Sequence, residues 1–231
     1  MKEFCFNDIQ SKNVFIIAEM SANHNGNFEV AKETILAAKR AGADAIKLQT
    51  YTADTLTLNV NSEQFKIKGG TLWDGETFYN LYKKAYTPWE WHKELFQLAK
   101  DEGLVCFSSP FDMSAVDLLE DLDCPIYKIA SLEITDIPLI EYVARKGKPV
   151  ILSTGIADDT DIKLAIKTCR DVGNNKIALL KCTASYPAEI KDANLVMIKD
   201  MASRYGVITG LSDHTLGIEV PMLSVMMGAK I

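Results

Sequence analysis

Ionisable and amide side chains follow several short apolar runs in this chain. Glu19 comes after VFIIA, Lys47 and Gln49 lie in DAIKLQ, and Lys128 lies in PIYKIAS. Charges are costly in a packed core, because burial removes the water that solvates them. If the runs are parallel strands whose carboxyl ends face one pocket, these side chains would meet on a single substrate.

The lysines limit what that substrate could be. Lys47 and Lys128 each lie within a run that should be buried, so each needs an anionic partner. Two lysines facing one pocket fit a ligand that carries both a phosphate and a carboxylate, as phosphoenolpyruvate does. A lysine that forms a Schiff base, as in class I aldolases, and a structural ion pair are the alternatives. Lys181, in LLKCT, is a weaker member of this set.

Hydroxyl groups recur at the ends of four apolar runs. They are Ser108 and Ser109, Ser131, Ser153 with Thr154, and Ser212. Hydroxyls and the backbone N–H groups at helix N-termini bind anions well, although any single serine is as readily a helix cap. The recurrence therefore indicates an anion site more strongly than any one serine does.

Two carboxylates, one histidine and a polar turn could supply the remaining chemistry. Glu19 could bind sugar hydroxyls or move a proton, and Glu133 is a candidate general base. His214, in GLSDHTLG, suits a divalent metal as a neutral imidazole, although one histidine does not define a metal site. Asn23, in SANHNG, offers a further polar contact, whereas the alternative for this segment is a simple turn. His92, in WEWHKE, is interpreted as a surface or packing residue.

Composition excludes several classes of function. The chain has 231 residues, of which 48% are hydrophobic and 24% charged, and a net charge of -6 argues against a nucleic-acid partner. No apolar stretch is long enough to cross a bilayer. The five cysteines show no CxxC spacing, which favours buried thiols in a reducing compartment over a disulfide framework. The start of the chain has no signal-peptide core, and a cytoplasmic location is predicted.

The elements that must position these residues are repeated βα units. The predicted strands cover 14–19, 44–49, 104–109, 126–131, 149–154, 177–182 and 207–212. The predicted helices lie near 28–41, 88–102, 112–122, 135–147, 158–172, 192–204 and 217–227, the second with Thr87 as its N-cap. Seven units without a GxGxxG after the first strand favour a closed (β/α)8 TIM barrel over an open sheet. An aromatic-rich insertion between Tyr51 and Pro88 is expected to act as a lid, a specificity loop or an oligomer contact.

The final residues, GAKI, resemble the start of an eighth strand. We therefore expect a single barrel domain over residues 1–231 that is incomplete at its eighth strand and has an unpaired edge there. The chain is interpreted as truncated at its C-terminus.

Seven segments, taken in order, resemble the sialic acid synthase (N-acylneuraminate synthase) family. They are IIAEMSANHNG, AGADAIKLQT, FSSPFD, YKIAS-E, KPVILSTG, CTASYP and GLSDHT. Within that family the segment GGTLWDGETFYNLYKKAYTPWEWH is most similar to pseudaminic acid synthases. Ala184, where sialic acid synthases usually carry Asn, agrees with this. N-acetylneuraminate or legionaminic acid synthesis is the alternative.

The resemblance implies a reaction and a set of roles. The family condenses phosphoenolpyruvate, as co-substrate, with an open-chain N-acetylated aminosugar, and releases phosphate. Phosphoenolpyruvate would contact Lys47, Ser109, Lys128, Ser131, Ser153 and Ser212. The sugar would contact Glu19, Asn23, Gln49 and Tyr186, and catalysis would involve Glu19, Lys128 and Glu133, the last in proton transfer. His214 would be one of two histidine ligands of a manganese or magnesium ion that polarises the sugar aldehyde.

The resemblance also implies parts that this chain lacks. The second metal histidine would lie in an eighth-strand motif beyond Ile231, and full-length members carry an antifreeze-like domain that lends an arginine to the partner subunit of a homodimer. We therefore expect most of the phosphoenolpyruvate site, an incomplete metal centre, and little or no activity from residues 1–231. A Schiff-base pyruvate aldolase and a non-catalytic ligand-binding barrel fragment remain the other readings.

Overall fold

The computed structural model describes residues 6, 9, 14–70 and 73–231. The chain divides into two compact units. The N-terminal unit is Ala18–Cys124, and the C-terminal unit is Pro125–Ile231 together with the start of the chain up to Ile17. Cys5, one of the predicted buried thiols, lies outside the described residues, while the other four cysteines are buried thiols as predicted.

In the described residues seven strands alternate with helices, as the sequence predicts. They are β1 (Ile17–Glu19), β2 (Ala45–Thr50), β3 (Val105–Pro110), β4 (Tyr127–Ile129), β5 (Val150–Ser153), β6 (Ile177–Cys182) and β7 (Ile208–Ser212). In the N-terminal unit β2 and β3 are parallel neighbours, and in the C-terminal unit β4, β5, β6 and β7 pair in chain order, all parallel. All seven predicted strands are confirmed, with ends shifted by a few residues.

The helices also follow the predicted pattern. Those at the predicted positions are α1 (Phe28–Arg40), α4 (Trp89–Asp101), α5 (Met113–Asp121), α6 (Ile137–Ala144), α7 (Asp159–Asp171), α8 (Val196–Tyr205) and α9 (Glu219–Met226). Four of them begin at side-chain caps: Asn27, Asp112 and Asp158 each accept hydrogen bonds from two backbone N–H groups of the first turn, and Asp136 accepts one. The predicted N-cap of α4 is wrong. Pro88 occupies that position, and Thr87 is buried with its hydroxyl against His24.

The insertion after β2 contains two helices that the sequence did not predict, α2 (Ala53–Leu56) and α3 (Phe78–Ala85). Tyr51 anchors this segment, because its ring packs edge-on against Tyr82 of α3 at 5.9 Å and against Phe111 at 5.4 Å. Burial raises the pKa of Tyr51 to about 12, with the neighbouring Tyr82 adding to the effect. The insertion is therefore packed against the ends of β2 and β3 through aromatic rings.

The last residues lie beside β7, as expected of an eighth strand, but their edge is not unpaired. Lys230 N donates to Thr209 O, and Leu211 N donates to Ile231 O. On the other side, Phe15 N donates to Lys230 O at 2.8 Å. A Cβ on Gly210 would come within 2.3 Å of Ile231 O, so only glycine allows this close approach. The expectation of an unpaired edge is wrong, because these residues form hydrogen bonds on both sides.

Strand register decides which side chains share a face. Side chains alternate along a strand, and register partners on parallel neighbours point to the same side. In the N-terminal unit Gln49 is the partner of Ser109, so Lys47, Gln49 and Ser109 share one face of β2 and β3. In the C-terminal unit the register places Lys128, Ser153, Cys182 and Ser212 on one face. Across the described ranges, no helix combines the length and apolar composition needed to span a membrane.

Candidate functional site

In the N-terminal unit Lys47 already has a counter-charge. Its Nζ forms an ion pair with the carboxylate of Glu19 at the end of β1, and the other Glu19 oxygen, Oε1, accepts a hydrogen bond from Ser21 N. The Lys47 side chain is only 8% exposed, and that of Glu19 is 39% exposed. The need for an anion that the sequence indicated is therefore met here from within the chain.

Ser109 is a buried hydroxyl that has no hydrogen-bond partner among the residues the structure describes. Such orphaned groups are uncommon in folded proteins and call for an explanation, such as a ligand or water. Gln49, its register partner, is half-buried on the same face. Lys47, Gln49 and Ser109 thus form a polar strip that could receive an anion and a hydroxylated ligand.

Ser108 lies on the opposite face and has a structural role. Its hydroxyl contacts Thr50 Oγ1 at 2.7 Å, and the Thr50 hydroxyl contacts Nε2 of His92 on α4 at 2.9 Å. His92 is fully buried, and burial lowers its pKa to about 4. The packing interpretation of His92 is confirmed, and the surface interpretation is wrong.

The segment after β1 is a turn. Asn23 Nδ2 donates to Met20 O at 2.9 Å, and Asn25 adopts a left-handed backbone with φ 51°. The buried His24 accepts a hydrogen bond at Nδ1 from Gly26 N, so its Nε2–H donates to Thr87. The side-chain nitrogen of Asn23 is thus used inside the turn. The sugar contact predicted for Asn23 would therefore be made by its side-chain oxygen.

In the C-terminal unit Lys128 and Glu133 lie close enough to interact electrostatically. Lys128 is buried, and Oε2 of Glu133 is a buried atom with no hydrogen-bond partner in the described part of the chain. Burial raises the pKa of the Glu133 carboxyl above its ordinary value, and the charge of Lys128 opposes this only in part. A carboxyl with a raised pKa suits proton transfer near neutral pH.

Three predicted serines lie at the ends of strands in this unit. Ser131 Oγ accepts a hydrogen bond from Gly155 N at 3.1 Å, and a Cβ on Gly155 would come within 2.8 Å of that oxygen. Ser153 is fully buried, and its hydroxyl has no partner in residues 14–70 and 73–231. Ser212 is the register partner of Cys182. Ser153 and Ser212 share the face that carries Lys128.

Sequence reasoning missed Cys182, the last residue of β6. Its sulfur lies 3.9 Å from His214 Nδ1. Burial acts to raise the pKa of this thiol, but the neighbouring donor groups of His214, Ser131 and Ser212 outweigh it and the pKa is lowered. Alternation along β6 was the available signal, because Cys182 lies two residues beyond Leu180 on the face that carries Lys128.

His214 has a defined tautomer. Its Nδ1 lies 2.9 Å from Thr183 O, and because a carbonyl only accepts, Nδ1 carries the proton and the Nε2 lone pair is left for a ligand. The ring of Tyr186, 80% exposed, lies 4.1 Å from the His214 ring, centroid to centroid. The chemistry of His214 therefore fits one metal ligand. The described residues hold no cluster of three His, Cys, Asp or Glu side chains that could complete such a site.

Lys181 does not share this face. It alternates with Cys182 along β6, and its Nζ donates to Cys182 O at 2.8 Å and to Thr183 Oγ1 at 3.2 Å. Burial lowers the pKa of its amine. A lowered pKa suits a Schiff-base lysine, but the amine is engaged by its own loop on the side away from Lys128.

Comparison with known proteins identifies close relatives. The model of the NeuB family matches residues 34–231. Pseudaminic acid synthase of Helicobacter pylori (strain ATCC 700392 / 26695) is 53% identical over 93% of this chain and 63% of its own length. N,N'-diacetyllegionaminic acid synthase of Legionella pneumophila (strain Philadelphia 1) is 40% identical over 95% of this chain and 62% of its own length. The chain thus spans about 63% of the length of the first of these relatives.

Solved structures show the same fold. The N-acetylneuraminic acid (sialic acid) synthetase of Leptospira borgpetersenii serovar Hardjo-bovis, in complex with citrate, superposes with a TM-score of 0.83 at 35% identity. The likeness covers 94% of this chain and 71% of the Leptospira chain. This confirms the predicted fold class, a TIM-barrel-like α/β fold.

Proposed function

Because the chain belongs to the NeuB family, we propose that the protein condenses phosphoenolpyruvate with an open-chain N-acetylated aminosugar to give a nonulosonic acid and phosphate. Pseudaminic acid is the proposed product, because identity to the Helicobacter pylori synthase, 53%, exceeds the 40% to the Legionella pneumophila legionaminic acid synthase. Legionaminic or N-acetylneuraminic acid is the alternative product.

One observation in the C-terminal unit carries the proposal. The Ser153 hydroxyl is fully buried without a hydrogen-bond partner in the described residues, on the face that carries the buried Lys128. A cation beside an unsatisfied donor fits a phosphate or carboxylate, since hydrogen bonds to charged acceptors are stronger than neutral ones. Lys128, Ser131, Ser153 and Ser212 are the proposed contacts of phosphoenolpyruvate in this unit.

The N-terminal unit supports the proposal with its own polar strip. Lys47 and Ser109 are proposed to bind an anionic group, and Glu19, Asn23 and Gln49 the hydroxyl and amide groups of a sugar. Anion binding at Lys47 would compete with the Glu19 carboxylate that now occupies it. Binding an anion at Lys47 therefore costs the free energy of breaking this ion pair.

The chemistry assigns a task to each group. The C3 carbon of phosphoenolpyruvate attacks the sugar aldehyde, positive charge builds at C2, and water adds there. One proton of the water ends on the new sugar hydroxyl, and the other leaves with phosphate when the C–O bond breaks to give the keto group. Glu133 is proposed to take the proton of that water, and Lys128 to stabilise the charges of phosphoenolpyruvate. A divalent metal, manganese or magnesium, would polarise the aldehyde oxygen, with His214 Nε2 as one ligand. Tyr186, beside the His214 ring, is a proposed sugar contact.

Binding of phosphoenolpyruvate to this chain tests the site without requiring turnover. Isothermal titration calorimetry should show binding that weakens about tenfold or more in Ser153→Ala, because a hydrogen bond to a charged group is lost. Ser203→Ala, on the exposed side of α8, is the matched control and should bind as the unchanged chain does. Equal binding by Ser153→Ala and Ser203→Ala would refute the assigned site.

Turnover is tested in a chimera that joins this chain to the remaining part of the Helicobacter pylori relative. Phosphate release should be faster with 2,4-diacetamido-2,4,6-trideoxy-altrose than with N-acetylmannosamine. Borohydride trapping with pyruvate separates the aldolase alternative, since a covalent adduct at a lysine would favour it. Binding without phosphate release in the chimera would favour a ligand-binding protein.

Location and assembly are proposed on the same basis. A cytoplasmic location fits a phosphoenolpyruvate-dependent enzyme, with neither membrane nor nucleic acid as partner. A homodimer is proposed for the chimera, and light scattering during size-exclusion chromatography would test it by measuring the mass in solution.

A further inference from the structure

Three predicted site side chains meet at one atom, the sulfur of Cys182. The residue ends β6, is 3% exposed, and faces its register partner Ser212. The hydroxyls of Ser131 and Ser212 lie close enough to this sulfur to favour its charged form electrostatically. His214 Nδ1 approaches the same sulfur at 3.9 Å.

The hydrogen-bond directions show what the sulfur does. Ser131 Oγ accepts from Gly155 N, so its own hydroxyl hydrogen is free to point toward Cys182. The Nδ1–H of His214 is directed mainly at Thr183 O, and the sulfur is its second and longer acceptor. The sulfur of Cys182 thus accepts from the Nδ1–H of His214, and the Ser131 hydroxyl is a second donor available to it.

We propose that Cys182 is a positioning residue for the anion and metal contacts of the C-terminal unit. Its sulfur orients the hydroxyls of Ser131 and Ser212 and restrains the Nδ1 side of the His214 ring, so that Nε2 points away toward a ligand. The inference deepens the proposed function and rests on it only for the nature of the anion.

A sulfur acceptor suits this task. Thiol sulfur is a weak acceptor, whereas carboxylate and phosphate oxygens are strong ones. Hydroxyls held by sulfur can therefore turn to a bound anion at little cost, although they stay oriented while no ligand is bound. The larger radius of sulfur also lets one atom reach three donors that arrive from different elements.

The test compares Cys182→Ala with Cys182→Ser and uses two readouts in the 231-residue protein. Cys169→Ala is the matched control, because Cys169 is equally buried but lies on α7. The first readout is long-range proton–nitrogen NMR of the histidine rings, which number only three in this chain. The second is the affinity for phosphoenolpyruvate measured by calorimetry.

We expect Cys182→Ala to shift the ring nitrogen signals of His214 while those of His24 and His92 stay in place. Phosphoenolpyruvate affinity should fall about 3- to 10-fold, the effect of losing one ordinary hydrogen bond. Cys182→Ser should lie between the unchanged chain and Cys182→Ala in both readouts, because its oxygen restores part of the shared acceptor. Cys169→Ala should leave both readouts unchanged.

Two outcomes would overturn the inference. One is an unshifted His214 signal in Cys182→Ala. The other is a loss of affinity in Cys182→Ser as large as in Cys182→Ala, since a general packing defect would give that result. If the unchanged chain binds no phosphoenolpyruvate, the proposed function fails at that point, while the His214 signals still decide whether Cys182 positions the ring.

Discussion

The two units each bury a lysine beside a carboxyl group, yet they treat the pair differently. In the N-terminal unit Lys47 forms an ion pair with the partly exposed Glu19. In the C-terminal unit burial favours the neutral form of Glu133, the carboxyl near Lys128. The charged Glu19 carboxylate must be displaced before an external anion can pair with Lys47. The two units should therefore differ in their response to an anion and to pH.

The units also differ in how pH should affect them, and the largest expected effect is in the N-terminal unit. Burial lowers the pKa of His92 from 6.5 to about 4. Between these values the unfolded chain binds a proton that the folded chain does not, so stability falls as the pH drops from 6.5 to about 4. The Gln side chain of His92→Gln stays neutral. Between pH 7 and pH 4 the free energy of unfolding of this variant should therefore fall by about 3 kcal/mol less than that of the unchanged chain. Urea unfolding of both chains at pH 7 and pH 4 measures it, and identical pH dependence would contradict the assignment.

The next effect compares the two lysines directly. Lys128→Met should weaken phosphoenolpyruvate binding about 10- to 100-fold, as expected for losing a charge-assisted contact. Lys47→Met should weaken it less, because the amine of Lys47 is already shared with Glu19. Lys163→Met, an exposed residue of α7, serves as the control for charge loss. A larger loss in Lys47→Met than in Lys128→Met, by calorimetry, would reverse the comparison.

A single substitution in the N-terminal unit should remove the charged partner of its buried lysine. Glu19→Gln removes the carboxylate from Lys47, and affinity for phosphoenolpyruvate should rise by about 3- to 10-fold, comparable to one hydrogen bond. The gain should disappear when Lys47→Met is added, because the two changes act on one contact. A gain that persists in the double variant would mean that Glu19 acts elsewhere than at Lys47.

The smallest effect is the pH response of the C-terminal unit, which has the opposite sign to that of His92. The pKa of Glu133 is raised in the folded chain, so its contribution to stability is present below the ordinary value of 4.5 and is lost as the pH rises through the folded value. Glu133→Gln should remove this loss. The free energies of unfolding of both chains at pH 4 and pH 7 test this prediction. If the unchanged chain does not lose stability relative to Glu133→Gln between pH 4 and pH 7, the raised pKa is contradicted.

Periodicity predicted the elements well because the chemistry of the core is repetitive. Each of the seven apolar runs is a strand. A short β-branched run that lies between two amphipathic helices has few other structures open to it. The insertion was less predictable: the short helices α2 and α3 depend on the packing of Tyr51 against Tyr82, a contact between residues far apart in sequence. Thr87 failed as a cap for the same reason, because a tertiary contact with His24 takes its hydroxyl.

The candidate site was predicted by residue type, whereas the facing of each residue needed the strand register. Ser108 and Ser109 are adjacent and chemically identical, but one binds Thr50 behind the strand and the other lies on the face of Lys47. Lys181 and Cys182 are also adjacent and lie on opposite faces of their strand. Lys181 was a candidate site residue from the sequence, but it points away from the face of Lys128. Cys182 lies on that face, although the sequence indicated only a buried thiol.

The backbone bonds between Phe15, Lys230 and Thr209 set an order for folding. The N-terminal unit is continuous in sequence, so it can form from Ala18–Cys124 as soon as those residues exist. The C-terminal unit depends on a pairing between segments separated by nearly the whole sequence, and such distant contacts form slowly. During synthesis the hydrogen bond between Phe15 and Lys230 can therefore form only after β4, β5, β6 and β7 have been made. We expect newly made chains to expose this unit longest to chaperones and proteases.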